Sequence, residues 1–242
     1  MHDLTQRQIE ILKSLIEEYI ETAEPVGSET LEKKHNLSAS PATIRNEMVR
    51  LTNLGYLKKT HTSSGRVPTP VGMKFYVTQL MKEKEISVAE EVAVKEKLWD
   101  YREKEQRFLK ELTKNLAEKT KALAVATTDD GDMYASGYAN ILDMPEFYDI
   151  DITKNLLSAI DEFDFFSNLF AGVIEDEDIH VLLGEDMPRL PANYGFVFSR
   201  YETPMKLSGE IGVLGPVRLN YTSIVPTVRC FKNLIKEIAK GW

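Results

Sequence analysis

The first third of the chain carries apolar residues at helical spacing, punctuated by helix-starting signals. Thr5 with Gln8 three residues on is a capping-box pattern, and Ile9, Leu12, Ile16 and Ile20 then give a first helix one apolar stripe. Pro25 and Gly27 interrupt it, and Ser28 starts a short second helix with Leu31 inward. Ser40 followed by Pro41 opens a third helix that runs to about Leu54, where Gly55 stops it. Its buried stripe is Ile44, Met48, Leu51 and Leu54, which leaves Thr43, Arg45, Asn46, Val49 and Arg50 off the stripe. Residues 56–60 and 66–69 read as two short strands joined by a polar loop, and Thr69-Pro70 opens a fourth helix through Phe75, Tyr76, Leu80 and Met81.

Between residues 88 and 123 there is no glycine or proline, and Leu98, Tyr101, Glu105, Phe108, Leu112, Leu116 and Leu123 fall on an approximate heptad stripe. The pattern predicts one long amphipathic helix. Beyond it the period shortens: 124–128, 179–183, 195–199 and 207–214 read as strands, with helical patterns over 153–170 and 222–239. The chain is therefore expected to be α+β, with a small helical and ribbon domain over 1–84, a connecting helix over 85–123 and a mixed α/β module over 124–242.

With 43% hydrophobic and 28% charged residues in 242, the chain has the composition of a folded globular protein rather than a disordered or fibrous one. Its net charge of −8 argues against nucleic acid as a partner, but the average conceals a local reversal. Residues 33–82 hold Lys33, Lys34, Arg45, Arg50, Lys58, Lys59, Arg66, Lys74 and Lys82 against the single acid Glu47. Cys230 is the only cysteine, so neither an intrachain disulfide nor a cysteine-rich zinc site is expected, and a reducing compartment fits. The opening residues lack a basic stretch followed by an apolar one, and no run of 18 apolar residues occurs. The expectation is a cytoplasmic protein with no membrane partner.

Three helices followed by a two-stranded ribbon, with a basic, polar face on the third helix, form the layout of a winged helix-turn-helix. Such a helix fits the major groove. Arg45 can donate bidentately to guanine and Asn46 can pair bidentately with adenine. Ser38, Ser40 and Thr43 at the helix entrance offer hydroxyls and free backbone N–H groups to phosphate, Pro41 completes that entrance as the first helical residue of the candidate contact set, and Arg50 adds charge one turn further on. Lys58 and Lys59 flank the ribbon, whose tip and root, His61, Thr62, Ser63, Ser64, Gly65 and Arg66, are placed to reach the neighbouring backbone or minor groove.

Here the sequence resembles the HrcA family of heat-inducible transcription repressors. Ser-Pro-Ala-Thr-Ile-Arg-Asn-Glu-Met at 40–48, Leu-Gly-Tyr-Leu at 54–57 and His-Thr-Ser-Ser-Gly-Arg-Val-Pro-Thr at 61–69, followed by Gly72, Phe75 and Tyr76, are similar to that family's reading helix, wing and next helix. The likeness resumes at 141–147 and 212–221. It implies a GAF-like C-terminal domain, a homodimer, a double-stranded inverted-repeat operator called CIRCE ahead of chaperone genes, and dependence on a GroEL-type chaperonin. It also implies a departure: the family's inserted dimerisation domain is absent here, its place being spanned by residues 127–136, which makes the 88–123 helix a candidate dimer seam through Leu112 and Leu116, unless that stripe packs within its own chain.

Other features support blander readings. Asp129, Asp130 and Asp132 around Gly131 suggest a calcium loop, but the twelfth loop position is Asn140 and a turn is expected. Residues 175–178 read as a solvated loop, His180 as a structural histidine in a strand, and Cys230 as packed among Val228, Phe231 and Leu234. No nucleophile elbow, phosphate-cradling loop or paired catalytic histidine and carboxylate is present, so no enzyme and no cofactor is expected. The competing reading is a winged-helix regulator gated by a small molecule in its GAF-like half.

Overall fold

The structure, a computed structural model, describes residues 4–35, 37, 39–60, 65–99, 105–162, 165, 166, 169, 170, 178–187, 190, 193–203 and 207–239. The chain divides into two compact units, Met1–Lys82 and Glu83–Trp242.

In the first unit, α1 (Gln6–Thr22) begins at the Thr5–Gln8 capping box, where Thr5 N–H donates to Gln8 Oε1 at 3.0 Å and Gln8 N–H to Thr5 Oγ1 at 3.3 Å. Its core face is wider than the predicted stripe: Ile11 and Leu15 are buried with Leu12 and Ile16, while Ile9 and Ile20 are only half-buried. α2 (Ser28–His35) contributes Leu31, and α3 (Pro41–Asn53) contributes Ile44, Met48 and Leu51, with Leu54 half-buried beyond its end. The ribbon pairs β1 (Leu57–Lys59) antiparallel to β2 (Arg66–Pro68), and Val26 adds a bridge to Arg66. Thr69 caps α4 (Pro70–Phe75), which continues as a π-helical turn over Tyr76–Leu80. Gly72 is obligatory here, since a Cβ would sit 2.2 Å from the Tyr56 carbonyl oxygen.

In the second unit the region expected to be a single helix is two: α5 (Val88–Trp99) and α6 (Glu105–Thr120). They run back on one another, because Lys119 Nζ donates to Glu90 Oε1 at 2.9 Å, whereas a continuous helix would hold these 29 positions about 43 Å apart. The expectation fails because heptad spacing records only that one face is buried, not what buries it. Leu98, Phe108, Leu112 and Leu116 are fully buried within this chain, where α6 packs on the sheet and on the final helix. Tyr101 lies outside the described residues.

The sheet is antiparallel in the order β4 (Met133–Ser136), β3 (Leu123–Thr127), β7 (Ser208–Pro216), β6 (Tyr194–Glu202), β5 (His180–Leu183). β4 is a strand that the Asp-rich turn signal hides. The turn itself is where it was expected: Gly131 N–H reaches the Thr128 carbonyl at 3.0 Å and Thr128 N–H the Asp132 carbonyl at 2.9 Å. Thus β3 and β4 join directly at the place where the resemblance puts the family's insert.

The helix expected over 153–170 is instead α8 (Ile150–Ile160): it starts earlier, because Asp149 accepts from Asp151 N–H at 2.9 Å, and stops well short of 170, at the Asp161 cap. With the short α7 (Tyr138–Leu142) it covers one sheet face. There Phe147, Phe166, Phe170, Phe196, Phe198 and Tyr194 pack ring to ring, with centroids 4.9–6.0 Å apart. α9 (Tyr221–Ile238) lies on β6 and β7 and beside α6. This five-stranded sheet with helices on both faces is the GAF-like α+β arrangement expected.

Candidate nucleic-acid interface

The entrance to α3 is set by its cap. Ser40 Oγ accepts from Thr43 N–H at 3.3 Å and lies 3.0 Å from Thr43 Oγ1, while Pro41 occupies the first helical position. One turn in, Arg45 and Asn46 are exposed side by side, followed by Val49 and Arg50. The face opposite is the core.

Arg50 is not equivalent to Arg45. Its Nη1 donates to Glu47 Oε1 at 2.9 Å, and Glu47, buried at 7% exposure, also accepts from Gln8 Nε2 at 3.0 Å. Gln8 thereby links the start of α1 to the middle of α3. The one acid of the basic stretch is turned inward and doubly satisfied, so it offers no repulsion to a polyanion. The sequence carries the signal for this: Glu47 sits three residues after Ile44 and four before Leu51, on the core stripe.

The ribbon root is built from Gly65 and Arg66. Gly65 is buried against the backbone of Pro25, where a Cβ would meet the Pro25 carbonyl group at 2.9 Å. Arg66 is half-buried, and its backbone N–H and C=O both pair with Val26 at 2.9 Å. Its Nε donates to Thr52 Oγ1 at 3.2 Å, which ties the ribbon to the end of α3. Arg66 therefore has a positioning task that spacing alone does not reveal. Lys58 and Lys59 are exposed on β1, on opposite faces of the strand. Ser38, His61, Thr62, Ser63 and Ser64 lie outside the described residues.

Behind α3, the buried Glu18 of α1 receives Lys34 Nζ at 2.6 Å and lies 3.3 Å from His35 Nε2, both at the C-terminal end of α2. The Lys34 hydrogen bond, outweighing burial, holds the Glu18 carboxyl below its ordinary range. The C-terminal end of α2, just before α3, is thus anchored to α1 by an ion pair.

The second unit holds a cleft of about 340 Å³ lined in part by Glu83, Glu91, Arg229 and Cys230. Arg229 is engaged by Glu83 and Asp178, and burial pushes the Cys230 thiol up to about 11, away from thiolate chemistry. Cys230 is half-buried facing this cleft rather than fully packed with Val228, Phe231 and Leu234, which are buried. His180 stacks on Phe198 at 5.0 Å. The two C-terminal segments that carry the resemblance meet, Arg218 Nη2 donating to Glu146 Oε2 at 3.1 Å with both side chains about 15% exposed. No helix among the described residues is long and apolar enough to cross a membrane.

Residues 3–82 match the winged helix-turn-helix transcription repressor, HrcA DNA-binding family, and residues 73–225 match the HrcA protein C terminal domain. The heat-inducible transcription repressor HrcA of Desulforamulus reducens is 25% identical over 343 aligned positions, with 98% of this chain and 99% of that protein covered. That of Acetivibrio thermocellus is 26% identical over 337, with 97% and 96% covered. Alignments of 343 positions against a chain of 242 leave a long stretch of the relative without a counterpart here. A crystal structure of a hypothetical protein at 2.2 Å resolution superposes with a TM-score of 0.75 over 98% of both chains at 17% identity, a likeness of fold. With both of its parts matched, the chain belongs to the HrcA family of winged helix-turn-helix transcription repressors.

Proposed function

We propose that this repressor, which belongs to a family of regulators and not of enzymes, acts in the cytoplasm as a homodimer on a CIRCE-type inverted repeat ahead of chaperone genes, and leaves it on heating. The observation that carries this is the outward pair Arg45 and Asn46 one turn into α3, set in the stretch 33–82 whose one acid, Glu47, is turned inward. In this reading each α3 reads one half-site, Lys58 and Lys59 touch phosphate, and the Ser40 entrance holds a backbone phosphate. A two-fold operator needs two copies, since one winged helix covers a single half-site. A GroEL-type chaperonin is the proposed folding partner that links operator occupancy to heat stress. The aromatic packing under α7 and α8 supports this over a small-molecule gate, since rings fill that face of the sheet.

The test is a gel shift with an inverted-repeat duplex, a single half-site and a shuffled duplex, run with protein whose mass is measured by sedimentation, at rising temperature and with or without chaperonin. Tight binding of the intact repeat by a dimer, lost on heating and restored by chaperonin, is expected. Equal affinity for the shuffled duplex overturns sequence-specific repression, and a monomer that binds the full repeat no better than a half-site overturns the dimer.

A further inference from the structure

We propose that Val49 reads a thymine methyl group in each half-site, an inference that rests on the DNA-reading role of α3 given above. Among the described residues, Val49 is the large apolar side chain of α3 left exposed, at 42%. It lies four residues after Arg45 and three after Asn46, so the three are neighbours on one outward face, which Ala42 and Asn53 extend at either end. The core face, Ile44, Met48 and Leu51, points the other way.

A β-branched residue is a poor choice for an exposed helix position. It loses rotamer freedom against the preceding turn, and alanine or a charged residue would favour both helix and solvent. A local choice that opposes the local preference marks a position selected for something else. In the major groove the one apolar feature a base pair presents is the C5-methyl of thymine, and an aliphatic side chain is its natural partner. One helical turn advances about 5 Å, against about 3.4 Å per base pair, so Val49 meets a base one or two steps beyond those facing Arg45 and Asn46. The outward face then reads a guanine or adenine first and a thymine next, a sequence preference that charge alone cannot supply.

The test uses the inverted-repeat duplex of the function experiment and the full-length protein. Each thymine of one half-site is replaced in turn by deoxyuridine, which keeps every hydrogen-bonding group and removes only the methyl. The parent protein loses about fourfold in affinity at one position, the value expected for about 0.8 kcal/mol of buried methyl, and is indifferent at the others. Val49→Ala, which loses the contact in both half-sites of the dimer, binds the unmodified duplex about sixteenfold more weakly and no longer distinguishes thymine from deoxyuridine there, while Val49→Ile keeps the distinction. A parent protein insensitive to deoxyuridine at every position, or a Val49→Ala variant with the parent's full sensitivity, overturns the assignment. Failure of the parent to prefer the unmodified repeat over the shuffled duplex is a different result, which overturns the function itself and this inference with it.

Discussion

Arg45 and Arg50 differ by five positions and carry the same group, yet their surroundings give them separate tasks. Arg45 has an exposed side chain beside Asn46, whereas Arg50 closes on Glu47 at 2.9 Å. Arg45→Ala or Asn46→Ala is therefore expected to cost about 1–3 kcal/mol of operator affinity and to relax the preference at one position per half-site, with the melting temperature unchanged. Competition binding against single-base operator variants checks this. Glu18 makes a prediction about acid. Its carboxyl is held low in the fold, so the stability it confers is present above its unfolded value, near 4.3, and is lost as pH falls through the lower folded value. Chemical denaturation between pH 7 and 3 should show the parent losing stability more steeply below about pH 4.5 than Glu18→Gln, which starts on the order of 1 kcal/mol less stable at pH 7.

At the level of elements, two contacts define what each piece can do. The ribbon root presses Gly65 against Pro25, so Gly65→Ala must displace backbone at a 2.9 Å approach. The variant is expected to lose about 1–3 kcal/mol of stability and to weaken DNA binding of all sequences alike by misplacing the ribbon, measured by thermal melts alongside gel shifts. In the second unit α6 spends its apolar stripe on its own sheet and on α9. Leu112→Ala should then destabilise the protein by about 2–5 kcal/mol while sedimentation reports an unchanged oligomeric state. A dissociated but equally stable variant would instead return Leu112 to an intermolecular seam.

For the whole molecule the question is how a chain of net charge −8 associates with a polyanion. The first unit concentrates its cations after residue 32, the acids of α1 and α2 precede that stretch, and two of the unit's acids, Glu18 of α1 and Glu47 of α3, are buried. Binding is expected to depend steeply on salt, each phosphate contact adding about −0.9 to the slope of log K against log salt. Lys58→Ala and Lys59→Ala, each removing one contact per half-site, should flatten that slope by about two contacts and weaken operator and shuffled DNA equally. Unchanged slopes would remove the β1 lysines from the phosphate contacts.

Most of the first unit was legible from the chain alone, because its determinants are local. A capping box, two Ser/Thr-then-Pro starts and a stripe at 3.6-residue spacing fix where α1, α3 and α4 begin and which way α3 faces, so spacing alone puts Arg45 and Asn46 outward. The strands of the second unit were legible for the same reason, save β4, whose four half-buried residues at a sheet edge carry no alternation. Tertiary structure decided what periodicity cannot encode. A heptad stripe states that a face is buried but not its partner, so the fold-back of α5 on α6 emerged only from the pairing of Glu90 with Lys119. Likewise the Arg50–Glu47 pair is local, three positions apart, but the partners that hold Glu47 inward and engage Arg66, Gln8 and Thr52, come from 39 and 14 positions away. Local preference is written residue by residue, while the partner of a buried face or charge is set by the packing of the whole chain.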